Sequence, residues 1–165
     1  MHIHRKLWII CVLIVLLGIA GCSYNEDQSR NYQDKLEEAL WKWEDAKKFA
    51  TKVLGDYESL DSVTFGRELL GALGRMEGAE EELSDLAEET EDRGLRKNAK
   101  LCSKGMGEVY TAIREYGASL QWYLGVRELG NQEEIEEAQK TIGDDYKKYL
   151  KELKKGREKI QDSEL

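Results

Sequence analysis

The chain has 165 residues, 25 basic and 33 acidic side chains, a net charge of −8 and no proline. That length fits one domain, and the acidic balance lacks the basic footprint that nucleic acid requires. The only histidines are His2 and His4, at the extreme N-terminus. The rest of the chain therefore has no imidazole for Ser-His-Asp or Cys-His catalysis, or for His-based zinc or haem ligation.

Arg5 and Lys6 precede an apolar run from Leu7 to Leu17, which passes into Ile19-Ala20-Gly21-Cys22 and then a polar segment from Ser23. A positive head, a short apolar middle and a small-residue cleavage site make a secretory signal. Read instead as a spanning anchor, the 14 residues Leu7–Ala20 are too short. At ~1.5 Å per residue they cover roughly 21 Å of a ~30 Å hydrocarbon core. The ending aliphatic-Ala-Gly-Cys resembles the lipobox of prokaryotic membrane lipoproteins, over about the first 23 residues of the chain. The resemblance implies cleavage between Gly21 and Cys22 and a diacylglyceryl group on the Cys22 sulfur. Covalent lipid, palmitate included, would then be the only non-protein group. It also implies a membrane-anchored protein outside the cytoplasm, at the cell surface or in the periplasm. Two or three acyl chains hold a protein stably where one holds it marginally.

Without residues 1–21, 144 residues remain, with 23 basic and 33 acidic side chains, a charge of −10. Of three cysteines, Cys11 lies in the signal and Cys22 is the lipidation site, which leaves Cys102 as the one thiol. One thiol gives no disulfide framework, so packing must supply the stability. A domain this size supplies it by burying roughly 68–70% of its unfolded surface.

Residues 22–30 read as the lipidated cysteine and a short tether, with a helical domain over 31–165. Ser23 and Glu26 have capping-box spacing, which also allows an earlier helix start. From Tyr32 the apolar residues fall into heptads: Leu36, Trp43, Ala50 and Tyr57 on one position, Tyr32, Ala39, Ala46, Val53 and Leu60 on its partner. Leu40 and Leu54 widen the stripe to that of a bundle helix. Residues 56–62 read as a turn. A second helix carries Leu69, Met76 and Leu83 beside Phe65, Ala72, Ala79 and Leu86, and is expected to end near Arg93-Gly94 with the glycine as a left-handed cap. A third carries Leu95, Cys102, Val109, Tyr116 and Tyr123, flanked by Ala99, Met106, Ile113 and Leu120. Gly105, Ala112 and Ser119 recur at sevens beside them. Gly130 ends it, and Asn131 with Glu134 has the spacing of a capping box for a fourth helix through Ile135, Ala138, Ile142, Tyr146, Tyr149, Leu153 and Ile160. Similar lengths and short connections predict an all-α, antiparallel up-down-up-down four-helix bundle. The alternative is an elongated helical hairpin or coiled coil with one helix from Ser62 to Leu129.

Acids crowd the end of the second helix, from Glu77 to Asp92, where they oppose the helix dipole. Bases crowd the start of the third helix and the end of the fourth, Lys147 to Lys159. Those blocks are expected to lie at one level, with helices two and four side by side. The basic end of helix four would then return to the anchored end, where clustered bases can attract anionic lipid, although the facing acids of helix two compete for the same charges.

No catalytic or metal-binding residue is identified. The bundle di-iron site needs Glu-x-x-His pairs, and acids on a helix face are ordinarily solvated. Cys102 lies on a core seam and reads as a buried small hydrophobe. Tyr57, Tyr116, Tyr123, Tyr146 and Tyr149 lie on or near inward positions and form a candidate ligand pocket, although tyrosines also fill ordinary cores. Gly71, Gly74 and Gly78 on the outer face of helix two, with Trp41, form a candidate partner surface, each helix glycine costing about 0.8–1 kcal/mol against alanine. Trp122 lies at the margin of its seam. The expected function is a non-enzymatic, lipid-anchored interaction or structural module with a protein partner, a homo-oligomer among the options. The alternative is a binding or sensory bundle for a small apolar or aromatic ligand.

Overall fold

A computed structural model describes residues 26–163 and 165, with burial described from Asn31 onward. The described residues form an all-α four-helix bundle. Helix α1 spans Glu26–Gly55, α2 Ser62–Glu89, α3 Arg93–Leu129 and α4 Gln132–Asp162. A short 3-10 turn, Tyr57–Ser59, links the first two. Connections of a few residues make successive helices antiparallel.

Capping residues place the boundaries. Asp61 accepts the Thr64 amide at 2.8 Å and starts α2. Asn131 accepts the Glu134 amide at 3.0 Å while the Glu134 carboxylate accepts the Asn131 amide at 3.2 Å, the reciprocal box expected at the start of α4. The end of α2 differs from expectation. The helix stops at Glu89, Thr90 is extended (φ −79°, ψ 135°), and Gly94 lies in the first turn of α3. The physical reason is Asp92, whose carboxylate accepts the Gly94 and Leu95 amides at 2.7 and 3.0 Å and caps α3 ahead of the glycine. Helix α1 also includes residues 26–30, which sequence alone placed in the tether.

The core is the set of heptad positions. Trp43, Phe65, Met76, Leu83, Met106, Ile113 and Leu120 are buried, with alanines at 39, 46, 50, 72 and 99 between the large side chains. Cys102 is fully buried, with its sulfur 3.9 Å from that of Met106. Helix α3 is the axis. It packs on α1 and α2 through Met106, Ile113 and Leu120, and on α4 through a second seam, the heptad of small residues at 105, 112 and 119. At Gly105 the α3 and α4 backbones nearly touch: a Cβ there would stand 2.7 Å from the Gly156 carbonyl oxygen and 3.0 Å from the Ile160 amide nitrogen. Ser119 donates to Asp145 across the same seam at 2.5 Å.

Helices α2 and α4 are not packed side by side; among the described residues α4 packs on α3. The expected pairing of the α2 acids with the α4 bases within one chain is therefore corrected. Lys148 pairs with Glu115 at 2.7 Å, and Lys155 and Lys159 pair with Glu108, all on α3. The other half of the charge reading stands, since Lys100 at the start of α3 pairs with Glu88 of α2 at 2.7 Å. Helix α1 joins α2 through Lys42 and Glu82 at 2.9 Å and through Arg75 over the Phe49 ring at 5.0 Å.

Candidate functional site

Gly21 and Cys22 lie outside the described residues. No helix among the described residues is long and apolar enough to cross a membrane.

The five tyrosines meet in two linked groups. Tyr57, from the 3-10 turn, packs edge-on to Tyr123 of α3 at 6.2 Å between ring centroids. Tyr116 of α3 stacks on Tyr149 of α4 at 5.0 Å, and Tyr146 lies 5.5 Å from Tyr116 and 6.1 Å from Tyr149. Burial, followed by the neighbouring phenols Tyr57, Tyr146 and Tyr149, pushes the Tyr116 hydroxyl up to about 12. Burial raises Tyr149 and Tyr57 as well. Beside the rings a half-open groove of about 300 Å³ runs between α3 and α4, past Tyr116 and Tyr149 to Glu115, Lys148 and Glu152. Its charged rim is held by the Lys148–Glu115 pair.

Burial pushes the Cys102 thiol up to about 11, although the Ser163 hydroxyl beside it works the other way. A thiol held neutral and enclosed is a poor nucleophile. Glu80 is raised by its burial against α3, with the Ser103 hydroxyl donating to it at 3.3 Å. Among the described residues no group of three or more His, Cys, Asp or Glu side chains is placed to hold a metal ion.

The α2 glycines lie in the open: a Cβ at Gly71, Gly74 or Gly78 would meet no atom within 4 Å. Trp41 is 67% exposed but lies apart from them, next to Lys42 and so level with Glu82. The neighbours that sequence reasoning missed are apolar. Val63 is 74% exposed and Leu70 68%, both on the glycine side of α2, and Leu150 is 46% exposed next to Tyr146 (45%) on α4. The available signal was phase, since Val63 and Leu70 are seven apart and off the core stripe, and Leu150 follows Tyr149 out of register. Trp122 (45% exposed) and Leu129 extend the apolar surface along the outer side of α3.

No protein-family model, curated protein or solved structure matches this chain.

Proposed function

We propose that this protein is a non-enzymatic lipoprotein, anchored through acylated Cys22 outside the cytoplasmic membrane, whose helical bundle presents its flank to a protein partner. The observation that carries the interaction role is the pair of exposed apolar faces on α2 and α4. Large apolar side chains grouped on an outer surface mark interaction sites in soluble domains. The anchor rests on Ile19-Ala20-Gly21-Cys22 and its flanking residues.

The register of the helices suits an anchored module. Lys42 faces Glu82, so α1 reaches the level of the α2–α3 corner near residue 34, and its first turns, where Tyr32 is still partly buried, lead from the anchor to the body. The basic part of α4 sits higher: Lys159 pairs with Glu108, about 22 Å along α3 from Arg93 at ~1.5 Å per residue. It therefore serves the α3 seam and the flank in preference to lipid.

Mass spectrometry of membrane fractions tests the anchor. The mature N-terminus should be acylated Cys22, and Cys22→Ala should release the chain or block its cleavage. A soluble, unmodified mature chain in wild-type cells refutes it. The ligand alternative predicts an aromatic compound that displaces the Tyr116–Tyr149 stack, read as a change in tyrosine fluorescence.

A further inference from the structure

We infer that the partner of the exposed α2 face is the α4 face of a second copy of this chain, with the two copies standing side by side at the same height. This rests on the interaction reading above and names its partner.

The two faces are complementary in shape and charge. Along α2 the outer face offers Val63 and Leu70, then the open surface at Gly74, then Glu77, Glu81 and Asp85. Along α4 it offers Tyr146 and Leu150, then Lys151, Lys154 and Arg157. Among the described residues Glu77, Glu81 and Asp85 make no ion pair, nor do Lys151 and Arg157; Lys154 reaches only Glu158 at 3.8 Å. Each helix thus carries an exposed apolar patch and, below it, an unneutralised charged stretch, the two stretches being of opposite sign.

Heights match as well. Leu69 packs at Gly117, and the neighbouring Glu115 and Tyr116 meet Lys148 and Tyr149, so Leu70 stands level with Tyr149 and Leu150. Glu80 meets Ser103 and approaches Gly107, while Glu108 meets Lys155 and Lys159, so Glu77–Glu81 stand level with Lys154–Lys159. In this topology α2 and α4 run in the same direction. A second copy moved sideways without tilting or inversion therefore places Leu70 against Leu150, Gly74 between Leu150 and Lys154, and Glu77 and Glu81 alongside Lys154 and Arg157. Both N-termini then emerge at the same end, as a shared membrane requires.

Other pairings place like charges together. An α2–α2 contact opposes acids to acids, an α4–α4 contact opposes bases to bases, and an inverted α2–α4 contact opposes Glu81 to Glu136 and Glu137. Such juxtapositions disfavour the wrong partner geometry. The contact is heterologous and repeats, so it builds rows or closed rings. One helix against one helix is a small interface; co-anchoring raises the effective concentration that makes it productive.

Cysteine cross-linking of the full-length chain in membranes tests this. One tagged copy carries Leu70→Cys and a differently tagged copy carries Leu150→Cys, and the two are oxidised together. A mixed disulfide dimer is expected, with neither variant alone dimerising above the wild-type chain. A copy carrying both changes should give a ladder of trimers and longer species. Glu77→Lys with Glu81→Lys in the first copy should lower the mixed dimer about tenfold, each exposed pair being worth up to about fivefold in association. Lys154→Glu with Arg157→Glu in the second copy should restore it. Equal dimers from either single variant, or no mixed dimer from chains that remain helical by circular dichroism, overturns the arrangement. Fractionating the same samples separates the two readings. A mixed dimer in the soluble fraction refutes the anchor and keeps the self-association; anchored chains without a mixed dimer do the reverse.

Discussion

Gly105→Ala is the sharpest test of the packing, because the same change at Gly74 provides its own control. Both sites are in helix interiors, so both substitutions gain the same helix propensity, about 0.8–1 kcal/mol. At Gly74 nothing lies within 4 Å of the added methyl, and the gain is realised in full. At Gly105 the methyl would stand 2.7 Å from the Gly156 carbonyl oxygen, 2.8 Å from Ile160 Cγ1 and 3.0 Å from the Ile160 amide nitrogen. Two of those atoms are backbone, so α4 itself must move. Because Ser119–Asp145, Lys148–Glu115 and the Tyr116–Tyr149 stack lie along the same seam, the displacement is resisted over several turns. Overpacking of this kind costs ~1–3 kcal/mol. Compared with Gly74→Ala, Gly105→Ala should therefore be less stable by that amount, or about 2–4 °C in Tm per kcal/mol for a domain near this size. Urea denaturation of the two purified variants, followed by circular dichroism, measures the difference directly. Equal stabilisation by both would refute the close α3–α4 crossing.

Three further outcomes follow from the same contacts. Lys148→Glu should lower stability by about 0–1 kcal/mol, as an exposed pair does, and recover with Glu115→Lys but not with Glu81→Lys; a double-mutant cycle that couples Lys148 to Glu81 within one chain would refute the seam. Asn131→Ala should cost about 0.5–2 kcal/mol in urea denaturation, because it removes the side-chain oxygen that accepts the Glu134 amide while leaving the hydrogen bond from the Asn131 amide to Glu134 in place; no loss would place the start of α4 elsewhere. Burial raises Tyr116 to about 12 and Cys102 to about 11, so the fold holds the neutral forms. Their stabilisation is complete below about pH 9 and lost as pH rises toward 12, and Tyr116→Phe, which cannot ionise, should make that alkaline decline in the urea midpoint shallower with little change at neutral pH.

The bundle was legible because its signals are local and periodic. Heptads from Leu36 to Leu60, the Asn131–Glu134 box and the stop at Gly130 all act within a turn or two of chain. The end of α2 was misread for an equally local reason. Arg93-Gly94 has the look of a helix stop, but an aspartate two residues before a glycine is also a helix start, and Asp92 decides in favour of the start. Charge blocks gave sign without partner. The bases of α4 take Glu108 and Glu115, single acids inside α3 that are inconspicuous beside the run from Glu77 to Asp92. The inward placing of Tyr57, Tyr116, Tyr123 and Tyr149 could be read from phase, but Tyr146 is 45% exposed at the edge of the stripe, and the stacking of the rings depends on how α4 leans on α3. The α2 face was read only through its glycines, because Leu70 follows the core residue Leu69, and Leu150 on α4 likewise follows Tyr149, so each is absorbed into its stripe.

A helix that serves two seams explains why this bundle has free flanks. Around α3, Met106, Ile113 and Leu120 point to α1 and α2, and the small residues at 105, 112 and 119 let α4 settle close on another side. Because α4 obtains its burial there, through Ala138, Tyr149, Leu153 and Gly156, its stripe is narrow and its remaining surface is free to carry Tyr146, Leu150 and the lysines. Helix α2 is complementary: its inner stripe is satisfied by α1 and α3, and its outer surface has no α4 lying against it. In a bundle closed around a single core, bases on one helix could neutralise acids on its neighbour. Here the axial α3 separates the acids of α2 from the bases of α4 by its own width, so each block keeps its charge at the flank. The separation that costs the single chain those pairs is what leaves them available between chains.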